Sequence, residues 1–277
     1  MPSSEGNPAV TADARSFSYH AGAVGPTFTR AIAIEAPIEL VIGGSPFAVM
    51  MATPTELEDF AYGFLFTEGI VERPGDIRSV DTVESGFGWR LDIALSGEKL
   101  KTHFARRRAI SGRSGCGLCG VDDLQRLQAP PRSLPSATPV RPEAIGAALA
   151  ALEFRQPLNA LTRAVHGAAW CSLDGRIALI REDVGRHNAL DKAIGAVWRA
   201  GGDGRAGFFL ITSRCSFEMV AKAAIFGAGT LVSLSAPTSL ALERARTFGV
   251  AVIAVARADG AIAFTDGGAE TPRGLIA

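Results

Sequence analysis

The chain has 277 residues, of which 47% are hydrophobic and 20% are charged. This composition is typical of a soluble globular protein with enough apolar residues for one large core or two smaller ones. Lysine plus arginine equal aspartate plus glutamate at 28 each. No overall charge therefore attracts nucleic acid or an anionic membrane, and any anion must bind locally.

The first 27 residues are rich in small side chains and have neither the basic start nor the apolar centre of a secretory signal. We predict a flexible arm over 1–27 and a cytoplasmic protein. Apolar stretches such as Ala144 to Phe154 are much shorter than the roughly 20 residues that cross a bilayer. The sequence therefore predicts no membrane contact.

Residues 28–128 are predicted to form a small α+β module. Thr53 to Glu56 have the pattern of a capping box, which indicates the start of a helix with one apolar face that ends at Gly69. Alternating apolar positions predict strands at 30–42, 46–51, 77–83 and 89–95.

The module ends in a loop that carries two close cysteines, Cys116 and Cys119. Residues 106–120 include four glycines and two serines and show no regular period, which predicts a mobile loop. Residues 129–142 contain five prolines and are predicted to be a linker.

Residues 143–265 are predicted to form an α/β core, followed by a tail over 266–277. Asp174-Gly175 indicates a hairpin, and strands then alternate with helices. Parallel strands need crossover helices, so this order predicts a three-layer α/β sheet. The predicted strands are 168–173, 176–181, 207–212, 230–235 and 250–256, and the predicted helices are 189–198, 217–226 and 238–248.

Ligands of such sheets bind at the carboxyl ends of the strands. Three predicted strand ends carry polar residues just before a helix, where free backbone N–H groups favour phosphate. We expect one crevice for an anionic ligand there, formed by Arg186, His187, Ser213, Ser235 and Thr238. A structural role stays open, because Asn188 with Asp191 resembles a helix cap and serine or threonine before a helix is commonly a cap.

The cysteine pair has several chemical interpretations. A sulfur carrier attacks a donor persulfide as a thiolate, and a glycine-rich loop beside Arg113 would give that thiolate mobility and charge stabilisation. We predict Cys116 as the carrier, assisted by Cys119. A structural zinc site needs a second pair of ligands, a thioredoxin-like dithiol sits between a strand and a helix, and a zinc deaminase needs a His-x-Glu motif. The sequence has none of these around the pair, so we predict no resident metal.

The chain resembles the formate dehydrogenase accessory sulfurtransferase (FdhD) family from about Glu35 to Thr265. The resemblance depends on three sequences in the expected order: 181–192 (REDVGRHNALDK), 235–241 (SAPTSLA) and 116–120 (CGLCG). It implies a carrier that accepts sulfur from a cysteine desulfurase and passes it to the molybdenum bis(molybdopterin guanine dinucleotide) cofactor, its substrate, for use by formate dehydrogenase. It also implies a cytidine-deaminase-like core and a persulfide on Cys116, and it makes a homodimer a possible assembly.

A guanine-nucleotide contact of the family, with the pattern Phe-x-Arg-x-x-Arg, maps onto six residues near the last predicted parallel strand. Only Arg257 matches, and the aromatic and the second arginine are replaced. The positions are Val255, Ala256, Arg257, Ala258, Asp259 and Gly260. The alternative to sulfur transfer is a non-catalytic chaperone that binds the molybdenum cofactor. Cys215 departs from the family pattern and is predicted to take no part in sulfur transfer.

Overall fold

A computed structural model describes residues 8–20, 22–100 and 139–267. The described chain folds into a two-stranded, a four-stranded and a six-stranded sheet with helices between and around them. Within these residues no helix is both long and apolar enough to cross a bilayer.

The predicted flexible arm is wrong where the structure describes it, because a β-hairpin occupies most of it. Strand β1 (Ala9–Ser18) pairs antiparallel with β2 (Ala23–Ala33), with Val10 opposite Ile32 and Ala14 opposite Phe28. The β-branched and aromatic side chains on these strands favour extended backbone. The predicted strand over 30–42 is also divided, because residues up to Ala33 pair with β1 and those from Ala36 join a different sheet.

The small module is a four-stranded sheet, in the order β4-β3-β6-β5, covered by one helix. Helix α1 buries Phe60, Ala61, Phe64 and Leu65 on this sheet, as the apolar spacing predicts. The elements are β3 (Ala36–Ile42), β4 (Ser45–Ala52), α1 (Leu57–Thr67), β5 (Ile77–Ser85) and β6 (Gly88–Leu95).

The second half is the predicted α/β core. Its sheet has the order β12-β11-β10-β9-β7-β8, in which β8, β9, β10 and β11 run parallel and β7 and β12 run the other way. The strands are β7 (His166–Ser172), β8 (Ile177–Asp183), β9 (Gly207–Ile211), β10 (Thr230–Ser233), β11 (Ala251–Arg257) and β12 (Gly260–Asp266). The helices are α2 (Pro142–Leu152), α3 (Pro157–Thr162), α4 (Arg186–Arg199), α5 (Phe217–Phe226) and α6 (Ser239–Phe248).

Helices cover both faces of this sheet, as a three-layer architecture requires. Helix α2 packs Ile145, Ala148 and Leu152 on one face, and α4, α5 and α6 bury apolar residues on the other. The α/β class is confirmed, whereas the cytidine-deaminase-like identity of the core stays a prediction.

The two halves share one hydrophobic core. Helix α1 crosses α4 where Gly63 and Gly195 face each other, and a Cβ added at Gly63 would lie only 1.8 Å from Asp191 O. The same cluster of buried residues includes Leu40 and Phe60 from the module and Leu190 and Phe209 from the core. The small module is therefore fixed against the larger sheet by direct helix packing.

Candidate functional site

The carboxyl ends of β8, β9, β10 and β11 lie along one edge of the six-stranded sheet, together with the start of β7. Two loops at this edge are joined by backbone hydrogen bonds, from Cys215 N to Ala236 O (3.3 Å) and from Thr238 N to Cys215 O (3.0 Å). The Val255 N–H in β11 also donates to Ser235 O (3.4 Å). The sheet therefore brings the loops 213–216 and 235–238 together, and with them Ser213, Ser235 and Thr238.

Asp183, at the end of β8, fixes the turn into α4. Its fully buried carboxylate lies 2.7 Å from the Lys192 ammonium and accepts hydrogen bonds from Thr53 N (3.0 Å), Gly185 N (2.8 Å) and Asn188 Nδ2 (3.1 Å). A buried charge is stable only when it is paired and hydrogen-bonded in this way. Asp183 thus positions the first turn of α4 and joins it to the small module.

Two predicted helix caps are wrong because their side chains bind distant segments. Thr53 Oγ1 accepts from Val184 N (3.1 Å) rather than capping α1, which begins after Glu56 in a left-handed conformation. Asn188 lies inside α4 and donates to Met51 O (2.8 Å). Asp191 accepts from Thr67 Oγ1 (2.8 Å) and from the Lys222 ammonium (2.9 Å).

Arg186 and His187 occupy the first turn of α4 and lie beside two residues that we did not predict, Ser216 and Glu218. His187 Nε2 is 3.8 Å from Glu218 Oε2. The neighbouring His187, opposed by burial and helped by Ser216, lowers the pKa of Glu218 to about 2. Glu218 is therefore ionised at neutral pH.

His166, at the start of β7, belongs to the same cluster. Burial, followed by the nearby Arg186 guanidinium, lowers the pKa of His166. His166 is therefore neutral at pH 7, whereas Arg186 carries a charge. This part of the edge thus brings the Arg186 guanidinium close to a His–Glu pair, a combination suited to a polar ligand.

The hydroxyl residues of the predicted crevice mainly hold the loops. Thr238 Oγ1 accepts from Ala241 N (3.3 Å) and caps α6, as the structural alternative predicts. Ser213 Oγ donates to Arg214 O (3.1 Å), and Ser213 O accepts from Ser233 Oγ (2.8 Å). Ser235 O accepts from the same Ser233 hydroxyl (2.9 Å). These contacts fix the shape of the edge.

A cleft of about 440 Å³ opens beside these loops, between helices α2 and α3 and the ends of β10 and β11. Its volume is within the range of roughly 300–1,000 Å³ of small-molecule sites. The lining residues are Gly146, Leu149, Ala150, Leu152, Glu153, Gln156, Asn159, Ala160, Arg163, Leu234, Ala256, Arg257 and Ala258. An apolar wall and several polar side chains thus converge on one space.

The predicted nucleotide-contact stretch is only partly in this cleft. Ala256, Arg257 and Ala258 line it, whereas Val255, Asp259 and Gly260 do not. Val255 has φ 53°, an unusual conformation for a β-branched residue, at an irregularity in the β11–β12 pairing. The bulge leaves the Ala256 side chain buried and Arg257 exposed.

The Arg257 guanidinium is held at the rim of the cleft. Its Nη1 donates to Ala256 O (2.8 Å) and to Leu234 O. Within the described ranges, the hydrogen-bond partners of this guanidinium are these two carbonyl oxygens, and a guanidinium is well suited to phosphate.

The single crevice that we predicted is divided in the structure. Arg186, His187, Ser213, Ser235 and Thr238 are absent from the lining of the cleft. The sequence did not indicate that α2 and α3 form one side of a cleft. Residues in α2 have the pattern of an ordinary amphipathic helix, and α3 has that of a short turn that begins at a proline. The pattern gives no signal that distinguishes a cleft-facing Gln156 from a surface glutamine.

Cys116 and Cys119 lie outside the described residues. Cys171 and Cys215 are both buried, and burial raises the pKa of each thiol to about 12. Since only the thiolate is an effective nucleophile, neither residue is suited to carry sulfur.

The cleft at the carboxyl ends of parallel strands gives the chain the architecture of a ligand-binding α/β protein. A model of the FdhD/NarQ family matches residues 33–269. The chain therefore belongs to the FdhD/NarQ family.

Relatives and a solved structure agree with this membership. "Sulfur carrier protein FdhD" of Xanthomonas axonopodis pv. citri is 44% identical over 243 residues, covering 88% of this chain and 86% of that protein. The protein of the same name in Bordetella petrii is 44% identical over 256 residues, covering 91% of each chain. A protein described as a formate dehydrogenase accessory protein from Desulfotalea psychrophila has the same fold, with a TM-score of 0.73 at 23% identity over 96% of this chain and 99% of that one.

Proposed function

We propose that this chain is a sulfur carrier in the maturation of formate dehydrogenase. It accepts sulfane sulfur from a cysteine desulfurase, holds it on Cys116 and transfers it to the molybdenum bis(molybdopterin guanine dinucleotide) cofactor. The observation that carries the proposal is the 44% identity, over about nine-tenths of the chain, to proteins named sulfur carrier protein FdhD.

The chemistry of loading is a persulfide exchange at Cys116. The Cys116 thiolate attacks the terminal sulfur of the donor persulfide, the donor S–S bond breaks, and the donor cysteine leaves as a thiolate. No net oxidation or reduction occurs in this step. Cys119, three residues away, assists by exchanging with the persulfide once it has formed.

The cleft beside Arg257 is proposed to hold a guanine-nucleotide end of the cofactor. Three features support this placement: a volume of about 440 Å³, an apolar wall that includes Leu149 and Leu234, and an arginine at the rim. The apolar wall suits the flat faces of a base, and Arg257 suits a phosphate.

Transfer of labelled sulfur from a desulfurase tests the proposal. We expect mass spectrometry to find one added sulfur atom at Cys116 of the full-length protein after incubation with a desulfurase and ³⁵S-cysteine. Cys116→Ala should lose this label, whereas the matched control Cys215→Ala, at a buried thiol, should keep it. Equal labelling of the wild type and Cys116→Ala would reject Cys116 as the carrier and leave the non-catalytic cofactor chaperone.

A further inference from the structure

Buried polar atoms without a partner are concentrated around the start of α4. Within the described residues, five buried side-chain atoms have no hydrogen-bond partner, and three of them are in this one place: Arg186 Nε, His187 Nε2 and Ser216 Oγ. His187 Nε2 is 3.8 Å from Glu218 Oε2, which is beyond hydrogen-bond distance. Because buried polar atoms are almost always hydrogen-bonded, this cluster indicates a missing partner, either ordered water or a ligand.

The charge of Arg186 is also unpaired. Arg186 is half-buried and has neither an ion pair nor a side-chain hydrogen bond within the part of the chain that the structure describes. Arg181, which is half-buried as well, instead binds the Asp59 carboxylate at 2.8 Å. A guanidinium that has lost part of its water without gaining a carboxylate favours an anionic ligand. Since Arg186 is only partly buried, such a ligand can reach it from solvent.

The carboxylates near Arg186 are already bound elsewhere. Asp183 lies 2.7 Å from the Lys192 ammonium, and Glu182 accepts hydrogen bonds from the start of α3. Glu218 lies beside His187 and forms no ion pair with Arg186. The positive charge of Arg186 therefore remains for a ligand.

The first turn of α4 adds free backbone donors. This helix has 14 residues, and no side chain caps its amino terminus, which begins after Gly185. Asn188, the polar residue of the first turn that could cap, donates to Met51 O and to Asp183 Oδ1. The uncapped N–H groups and the helix dipole favour an anion beside Arg186 and His187.

His166 is close to the same turn. It pairs with Asp183 in the β7–β8 ladder, three residues before Arg186, and its imidazole is half-buried without a hydrogen bond among the described residues. Burial, followed by the charge of Arg186, lowers the pKa of His166, which agrees with a short distance between the two side chains. The guanidinium would repel a metal cation, so two histidines beside it suit an acceptor of hydrogen bonds instead.

We propose that Arg186, His166 and His187 form, with the free amides of the first turn of α4, a binding site for a phosphate-class oxyanion that is separate from the cleft. None of the three residues lines the cleft. Arg186 supplies permanent charge, and the imidazoles and amides supply hydrogen bonds. This site goes beyond the proposed sulfur transfer and depends on neither Cys116 nor Arg257. Inorganic phosphate and the phosphate groups of a nucleotide share the chemistry that it recognises.

Nuclear magnetic resonance of the full-length protein with labelled histidine tests the site locally. The chain has four histidines, and the signals of interest are assigned with His166→Gln and His187→Gln. We expect titration with inorganic phosphate at pH 7 to shift the signals of His166 and His187 and to leave that of His20, which is exposed on the β1–β2 turn, unchanged.

Variants of Arg186 test the charge. Arg186→Gln should weaken phosphate binding at these histidines about tenfold or more, because a charge-assisted hydrogen bond is lost. Arg186→Lys keeps the charge without the planar fork and should lie between this variant and the wild type. The matched control is Arg176→Gln, which removes an exposed arginine from the β7–β8 turn at the other end of the sheet and should keep the wild-type affinity. Thermal unfolding confirms that each variant is folded.

Two results would overturn the proposal. If phosphate shifts neither His166 nor His187 in the wild type, the unpaired atoms bind water only. If Arg186→Gln and the wild type bind phosphate equally, Arg186 does not hold the anion. A parallel titration with GDP separates the sources: shifts caused by GDP and lost in Arg186→Gln identify a nucleotide phosphate, whereas a response to inorganic phosphate alone identifies a free anion. Sulfur loading of Cys116 is measured separately by mass spectrometry, so the failure of either proposal is distinguishable from that of the other.

Discussion

The crossing of α1 and α4 permits a sharp test of how the two halves are joined. Gly63 is buried in this crossing, and a Cβ added there would lie 1.8 Å from Asp191 O, 2.6 Å from Asp191 C and 2.9 Å from Gly195 N. All three atoms belong to the backbone of α4, so no side chain can rotate away. To restore ordinary contact at 3.4 Å, the helices would have to separate by about 1.6 Å.

Two opposing effects set the change in the free energy of unfolding that Gly63→Ala causes. Overpacking a core costs about 1–3 kcal/mol, and the upper end applies here because the obstacle is backbone. Alanine regains about 1 kcal/mol through its higher helix propensity. The net loss in the free energy of unfolding is therefore about 2 kcal/mol or more, which lowers the Tm of a protein of this size by roughly 4–8 °C.

A matched substitution isolates the steric effect. Gly146 lies in α2, and an added Cβ there meets nothing within 4 Å. Gly146→Ala should therefore raise the free energy of unfolding by about 0.4–1 kcal/mol. Scanning calorimetry of both variants compares the same chemical change at two helical positions. Equal Tm values for Gly63→Ala and Gly146→Ala would refute the close contact between α1 and α4.

Two further predictions concern charged groups near the edge of the sheet. Lys192→Met should lower the free energy of unfolding in denaturant titrations by about 3–5 kcal/mol, because it leaves the fully buried Asp183 carboxylate without its cation. The double variant with Asp183→Asn should recover part of this loss, and equal stability of both variants would count against the pairing. The pKa of Glu218 is about 2 in the folded protein and 4.5 when unperturbed, so its contribution to stability is present above about pH 4.5 and is lost as pH falls toward 2. The Tm of the wild type should therefore fall more steeply over this interval than that of Glu218→Gln, and parallel curves would contradict the His187–Glu218 interaction.

Much of the secondary structure could be predicted because it depends on local pattern. Helix α5 has the predicted bounds, Phe217–Phe226, since its apolar spacing and the glycine after it act within a few residues. Strand β9 ends at Ile211, one residue before the predicted end. The hairpin at 9–33 was missed because its side chains are largely exposed, so no buried face marks it.

The candidate site was harder to predict because its contacts join distant positions. Thr53 has the local pattern of a helix cap, yet its hydroxyl and amide bind Val184 and Asp183, about 130 residues further along the chain. Gln156 shows the same limit. Its side chain packs against Gly167 in β7, and it lines a cleft together with Leu234, which lies 78 residues further along the chain. Spacing rules describe neighbours in sequence and give no information on these partners.

Residues 181–192, which carry most of the resemblance to the family, mainly hold separate segments of the fold together. Three of their carboxylates are buried, and each anchors a different segment: Glu182 binds the start of α3, Asp183 binds Thr53 of the small module, and Asp191 binds Thr67 and Lys222. Arg181 adds a fourth contact, to Asp59 of α1 (2.8 Å).

Two polar side chains of this sequence, Arg186 and His187, are not used in anchoring and lie at the carboxyl edge of the sheet, outside the lining of the cleft. Because Glu182 holds the start of α3, it also sets the position of that wall of the cleft. One of the carboxylates that assemble the fold therefore shapes the cleft. Glu182 does not line the cleft. Glu182→Gln should nevertheless weaken the proposed nucleotide binding, as measured by calorimetric titration with GDP.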